Sequence, residues 1–188
     1  MKTWLIGLAL LFTVSCHLQA ADLPGFLNYL DARPELVPTE DAYNHWMSQP
    51  SKAAEALIPG FVQYAADHQY RLAFTNLDGH GMMGISGSQP SPWILVNSAL
   101  GAEAQLATLV HELGHMCHLK IATLQTENEI IAESVSLLVL TGVKDIDSPR
   151  YSAAYILHMI PAGTRNLLYQ RRADLIQTCA DDLRKALL

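Results

Sequence analysis

Thr108-Leu109-Val110-His111-Glu112-Leu113-Gly114-His115-Met116-Cys117 is the stretch on which the reading of this chain turns. Leu106, Leu109, Val110, Leu113 and Met116 or Cys117 recur at spacings of three and four, and this period predicts a helix over 102–119. On such a helix His111 and His115 leave the same face, ~6 Å apart along the axis, so one nitrogen of each ring can reach a single ion. Glu112 flanks the two without joining their row. It can address a water beside the ion without ligating it, which is the physical content of the pattern H-E-x-x-H. Gly114 lowers helix propensity by about 1 kcal/mol relative to alanine, and close packing beside a site would account for it. The plainer alternative is an amphipathic helix that carries two surface histidines.

A catalytic zinc takes three protein ligands and leaves a fourth position for water. His118 lies ~10 Å further along the axis than His111, too far to be the third ligand on a continuous helix. It reads as a surface histidine or one that supports the ligands from outside. Glu129 and Glu133 are four apart on a helix expected over 127–140, with Thr126 as cap and Gly142 as stop. A short loop joins this helix to the motif helix, so the two can pack together. We assign Glu129 as third ligand and Glu133 as the carboxylate that orients a histidine ring, with Glu133 the alternative ligand. Each has a rival reading. Glu129 completes a capping box with Thr126. Glu133 could sit on a solvated face, although Ile130, Ile131, Ala132, Val135 and Leu137 around it suggest a buried helix, where a carboxylate needs a partner.

Around this centre the chain reads as helices, a small sheet, then helices. Thr39 is placed to cap a helix over 40–49, and Ser51 one over 52–68 that Pro59-Gly60 must bend or break. Residues 70–77 read as a strand, Asp78-Gly79-His80-Gly81 as a turn, and Trp93–Asn97 as a second strand. Pro149 opens a helix to about Ile160, and the last helix covers 165–185. The expected class is α+β, mostly helical, with a small sheet beside the motif helix.

The first twenty residues form a separate unit. Lys2, an apolar run over 4–14 and Ala20 have the layout of a secretory signal cut after Ala20, leaving 21–188 as one domain. This implies export, periplasmic or extracellular, with no stable membrane span afterwards. The alternatives are an N-terminal membrane anchor, a buried helix, or a lipoprotein cut before Cys16. After the cut Cys117 and Cys179 remain, either as one disulfide or as free thiols. The 188 residues carry a formal net charge of −6 and no basic stripe, which excludes nucleic acid as the expected partner.

Taken together, residues 108–117 and Glu129-Ile130-Ile131-Ala132-Glu133 resemble the zincin metallopeptidases of the gluzincin type, whose second segment has the form E-x-x-A-(D/N/E). Small ImmA/IrrE-like domains share the order of strand, T-L-x-H-E-L-G-H helix and ligand-bearing helix. The resemblance covers about residues 78–140. It departs from that group in having a signal segment and a short gap between His115 and Glu129, so the zincin chemistry carries over and the group's regulatory role does not. The H-x-x-G-x-x-H extension of metzincins is missing.

The resemblance implies one zinc per chain and a peptide or protein substrate. Zinc would polarise the scissile carbonyl, and Glu112 would take the proton of the attacking water and pass it to the leaving amine. The backbone of Trp93–Asn97 is a candidate rail for an extended peptide. Tyr151, Tyr155, His158 and His80 are candidates for stabilising the oxyanion, each with packing or surface exposure as its rival reading. Two other readings remain open: a non-catalytic zinc-binding scaffold or partner-binding module, and hydrolysis of a non-protein amide such as cell-wall peptide.

Overall fold

The computed structural model describes residues 18–118 and 125–188, and of His118 only the backbone. Most of the expected signal segment, with Cys16, lies outside the described residues, as do Leu119 and the His118 side chain. Ala20, placed before the expected cut, is buried, and its N–H donates to Gln177 Oε1 at 2.8 Å.

The helices are α1 (Leu23–Asp31), α2 (Glu40–Met47), α3 (Lys52–Asp67), α4 (Ala102–His118), α5 (Gln125–Leu140), α6 (Ser148–Met159) and α7 (Ala162–Leu183). The strands are β1 (Arg71–Thr75), β2 (Gly84–Gly87) and β3 (Trp93–Asn97). The fold is α+β, mostly helical with one small mixed sheet. Thr39 and Ser51 cap α2 and α3 as their side chains imply, accepting from Ala42 N and Ala54 N, each at 3.2 Å. Pro59 does not break α3. The helix runs through it, held by the buried faces of Ala54, Phe61 and Ala65. Thr126 lies inside α5, which begins at Gln125, and so is not the cap expected of it.

The sheet order is β1-β3-β2. β3 pairs parallel with β1 (Arg71 opposite Trp93) and antiparallel with β2 (Gly84 opposite Val96). Both edges of β3 are therefore occupied. The expectation that Trp93–Asn97 offers its backbone to a peptide fails for this reason, since its ladder groups already have partners. Asn97, at the end of β3, is buried. Its Oδ1 accepts from Leu77 N and Ala99 N, both at 3.1 Å, and its Nδ2 donates to Asp78 Oδ1 (2.9 Å) and Met82 O (3.2 Å). One side chain thus fastens the turn that leads into β2.

The core lies between the sheet and the helices, and α5 runs through its centre. Ile130, Ile131, Val135, Leu138 and Leu140 have no exposed surface. The buried hydroxyls of α5 are paired. Ser134 Oγ donates to Ile130 O at 2.6 Å and accepts from the Tyr169 hydroxyl at 2.7 Å, while Ser136 Oγ donates to Ala107 O. Buried Arg165 joins α7 to α1 through Asp31 at 2.7 Å. Glu103, near the start of α4, accepts from Asp147 N and Ser148 Oγ and so holds the start of α6. Among the described residues no helix is long and apolar enough to cross a membrane.

Cys117 and Cys179 form a disulfide with Cα atoms 5.9 Å apart, tying the last turn of α4 to α7. The alternative of two free thiols is thereby set aside. The bridge closes a loop with a sequence separation of 62, for which chain entropy gives a stabilisation of about 4 kcal/mol. Replacing both cysteines with alanine should lower the urea-unfolding free energy by up to that amount. An unchanged midpoint, or reactive thiols at Cys117 and Cys179 in the unmutated denatured chain, would contradict the bridge.

Candidate metal centre

α4 and α5 approach one another at Gly114. A methyl group placed on Gly114 would lie 3.1 Å from Ala132 Cα and 3.2 Å from Ala132 O, closer than most side-chain contacts. The absence of a side chain at 114 and the small one at 132 let the two backbones come this close. Ala132 lies between Glu129 and Glu133 in α5, so the same contact carries both carboxylates to the histidine face of α4.

There Glu129 meets both rings. Its Oε2 is 3.3 Å from His111 Nε2, and its Oε1 is 3.6 Å from His115 Nε2. The ring centroids of His111 and His115 are 4.7 Å apart, with planes nearly perpendicular. Glu133 takes the other side of His111, where Nδ1–H donates to its Oε2 at 2.7 Å. One ligand atom each from His111, His115 and Glu129 lies within 4.8 Å of the others, a group that could hold a metal ion. The donor set of two imidazoles and one carboxylate suits a divalent transition metal such as zinc. If a metal displaces the Nε2 proton, the Nδ1–H bond to Glu133 keeps the His111 ring in place with its Nε2 lone pair on the side where Glu129 lies.

The electrostatics agree with a site built for positive charge. Burial opposes charge on His111. Hydrogen bonds to Glu129 and Glu133, together with the Glu133 and Glu112 charges, outweigh it and hold the pKa up at about 10. Glu129 is held well below the usual carboxylate range by its hydrogen bonds from His111 and His115, against the opposing effect of burial. In the metal-free protein an imidazolium therefore supplies the positive charge that the carboxylates attract.

Glu112 is buried on α4. Its carboxylate packs against the backbone of β2: a methyl group on Gly84 would lie 3.0 Å from Glu112 Oε1 and 2.5 Å from Thr108 Cγ2. β2 has no counterpart among the strands the sequence predicts. Gly84-Ile85-Ser86-Gly87 has a single β-branched residue between two glycines and gives almost no strand signal. It is β2, not β3, that stands at the sheet edge beside the motif helix.

A cavity of about 270 Å³ opens onto the group, reached by His111, Glu129, Glu133 and Tyr155. Burial first, then the Glu129 and Glu133 charges, push the Tyr155 phenol above its ordinary pKa, so it stays a neutral donor. The other oxyanion candidates are placed differently. The Tyr151 hydroxyl accepts from Arg150 Nη2 at 2.7 Å and donates to Ala42 O at 3.3 Å. His158 and His80 are exposed and do not line the cavity.

Two outcomes follow. Because His111 carries a proton below a pKa of about 10, a metal must displace that proton at neutral pH. Apparent metal affinity should fall about tenfold for each unit of pH lowered from 9 to 7, as read by chelator competition; a flat response above pH 7 would mean an unshifted histidine. Gly114→Ala should weaken metal binding by tenfold or more, although alanine is the better helix former by about 1 kcal/mol. The methyl group meets backbone atoms of Ala132, which cannot swing aside. Equal affinity in the variant would show that the close approach is not what positions the carboxylates.

Comparison with protein-family models finds no match, and comparisons with curated proteins and with solved structures find none either. The functional reading of the chain therefore rests on the chemistry of these residues.

Proposed function

We propose that the chain is an exported zinc-dependent metallopeptidase of the zincin type. The observation that carries this reading is the placement of Glu129 against the Nε2 atoms of both motif histidines, with Glu133 on Nδ1 of His111. His111, His115 and Glu129 would hold the zinc. When bound, it supplies Lewis acidity toward the scissile carbonyl and the attacking water. Glu112 takes the proton of that water and hands it to the leaving amine. Glu133 holds the His111 ring in the tautomer the ligand role requires. Tyr155 donates a hydrogen bond to the oxygen of the carbonyl under attack. The outer edge of β2, beside Glu112, pairs with the extended substrate backbone. The Cys117–Cys179 bridge, of a kind that persists in oxidising compartments, supports export.

Metal content and peptide hydrolysis should be measured on the same preparations. The unmutated chain should hold about one zinc. Glu112→Gln should keep the zinc and lose at least 100-fold in hydrolysis. Glu129→Ala should lose the metal, while Glu133→Ala should weaken it about 10- to 100-fold. A chain that binds zinc tightly, yet whose function is indifferent to Glu112→Gln, would be a zinc-binding module and not a peptidase.

A further inference from the structure

Glu103 is buried in the first turn of α4, an unfavourable place for a carboxylate unless its oxygens find donors. The donors come from another helix. Glu103 Oε1 accepts from Asp147 N at 2.5 Å and from Ser148 Oγ at 3.1 Å, both at the start of α6. α6 makes no side-chain cap of its own there. Asp147, in the N-cap position, makes no side-chain cap hydrogen bond, and its carboxylate pairs with Arg150 Nη2 at 3.3 Å. The N–H at the mouth of α6 is therefore satisfied from α4, across a sequence separation of 44. The carboxylate also lies at the N-termini of two helices, where negative charge is favoured.

What this clamp governs follows from helix geometry. α4 and α6 both run outward from it. His111 lies ~12 Å along α4 from Glu103, and Tyr155 ~10 Å along α6 from Ser148. Both side chains reach the same cavity, beside Glu129 and Glu133. α6 packs chiefly on α5, with far less direct contact to α4. That apolar packing selects the buried face of α6. The directional bonds from Glu103 set its height against α4. A slip of α6 by one residue would move Tyr155 by ~1.5 Å along the axis and turn it through about 100°.

We propose that Glu103 is a positioning residue: it fixes α6 against the motif helix and so holds the Tyr155 hydroxyl where the oxygen of an attacked carbonyl gathers charge. The assignment rests on the peptidase reading for the use made of Tyr155, but its first readout needs no turnover. The zinc-loaded chain is titrated calorimetrically with a peptide phosphonamidate, whose anionic tetrahedral oxygens stand for that carbonyl. Tyr155→Phe should weaken binding about tenfold or more. Glu103→Ala should weaken it by a similar factor at unchanged zinc content, because the donor set stands on α4 and α5. The double variant should lose less than about threefold beyond the weaker-binding single one, since a displaced hydroxyl and a missing one are equivalent. Glu103→Gln keeps an acceptor oxygen for both donors and should recover binding to within about threefold of the unmutated chain. Glu103→Asp, one methylene shorter, should fall between the two, and it carries the test if the alanine variant does not fold. In peptide hydrolysis the loss should appear in kcat, with KM within about twofold. Losses that multiply in the double variant, or zinc lost from Glu103→Ala, would show a general loosening of the fold and overturn the proposal. Full binding by Glu103→Ala, or none by the unmutated chain, would overturn it as well. Non-multiplying losses in a chain that cuts no peptide would instead overturn the peptidase reading and leave the positioning role standing. Hydrolysis with multiplying losses would do the reverse.

Discussion

The contact between Gly114 and Ala132 sets the distance on which the rest of the site depends. The two helices carry the donor set between them, with the imidazoles on α4 and the carboxylates on α5. Side-chain oxygens reach only a few ångströms from their helix, so a wider separation would leave Glu129 short of both rings. Gly114 is thus costly in helix propensity, and a methyl group in its place would press on the Ala132 backbone by a few tenths of an ångström. The surrounding core holds the approach in place. α5 is buried along most of its length by apolar side chains that accept one position, and its buried serines are paired.

A second constraint is electrostatic. Glu112, Glu129 and Glu133 are gathered round two histidines in a partly buried region, and carboxylates so placed need a compensating charge. A proton shared through His111 provides it without metal. Under the proposed function a divalent ion does so more completely and frees the histidine for ligation. The residues that keep the site rigid stand further out. Glu127, just ahead of Glu129, is paired with Arg172 of α7 at 2.6 Å, and Asn97 fixes the turn that brings Met83 and Gly84 to the cavity.

Much of this was legible from local pattern, for reasons that particular residues make clear. The three-four spacing of Leu106, Leu109, Val110 and Leu113 specifies both the helix and its buried face. Trp93–Asn97 announces itself as a strand through its β-prone run. What was not legible depends on partners distant in the chain. β2 forms because β3 offers it an edge, not because Gly84-Ile85-Ser86-Gly87 favours extension. Asn97 looks like the polar end of a strand until Leu77, Asp78 and Met82 are brought round it. Trp46 and Tyr151 are over one hundred positions apart, so their stacked wall has no local signature. The four-residue spacing of Glu129 and Glu133 puts both on one face, but which of them meets which nitrogen is decided by the rotation of α5 against α4. β3 carries the strong strand signal yet is paired on both sides, whereas weakly signalled β2 holds the free edge; strength of signal and availability of an edge are unrelated.

The disulfide has a further consequence that follows from its place in the chain. The bond joins position 117 to position 179, and the whole of α5 and α6 lies inside the ring it closes, while His111 and His115 lie just outside. Backbone scission anywhere within that ring leaves the two fragments as one covalent molecule. A nick in the connections around α5 or α6 thus does not part the histidines from the carboxylates.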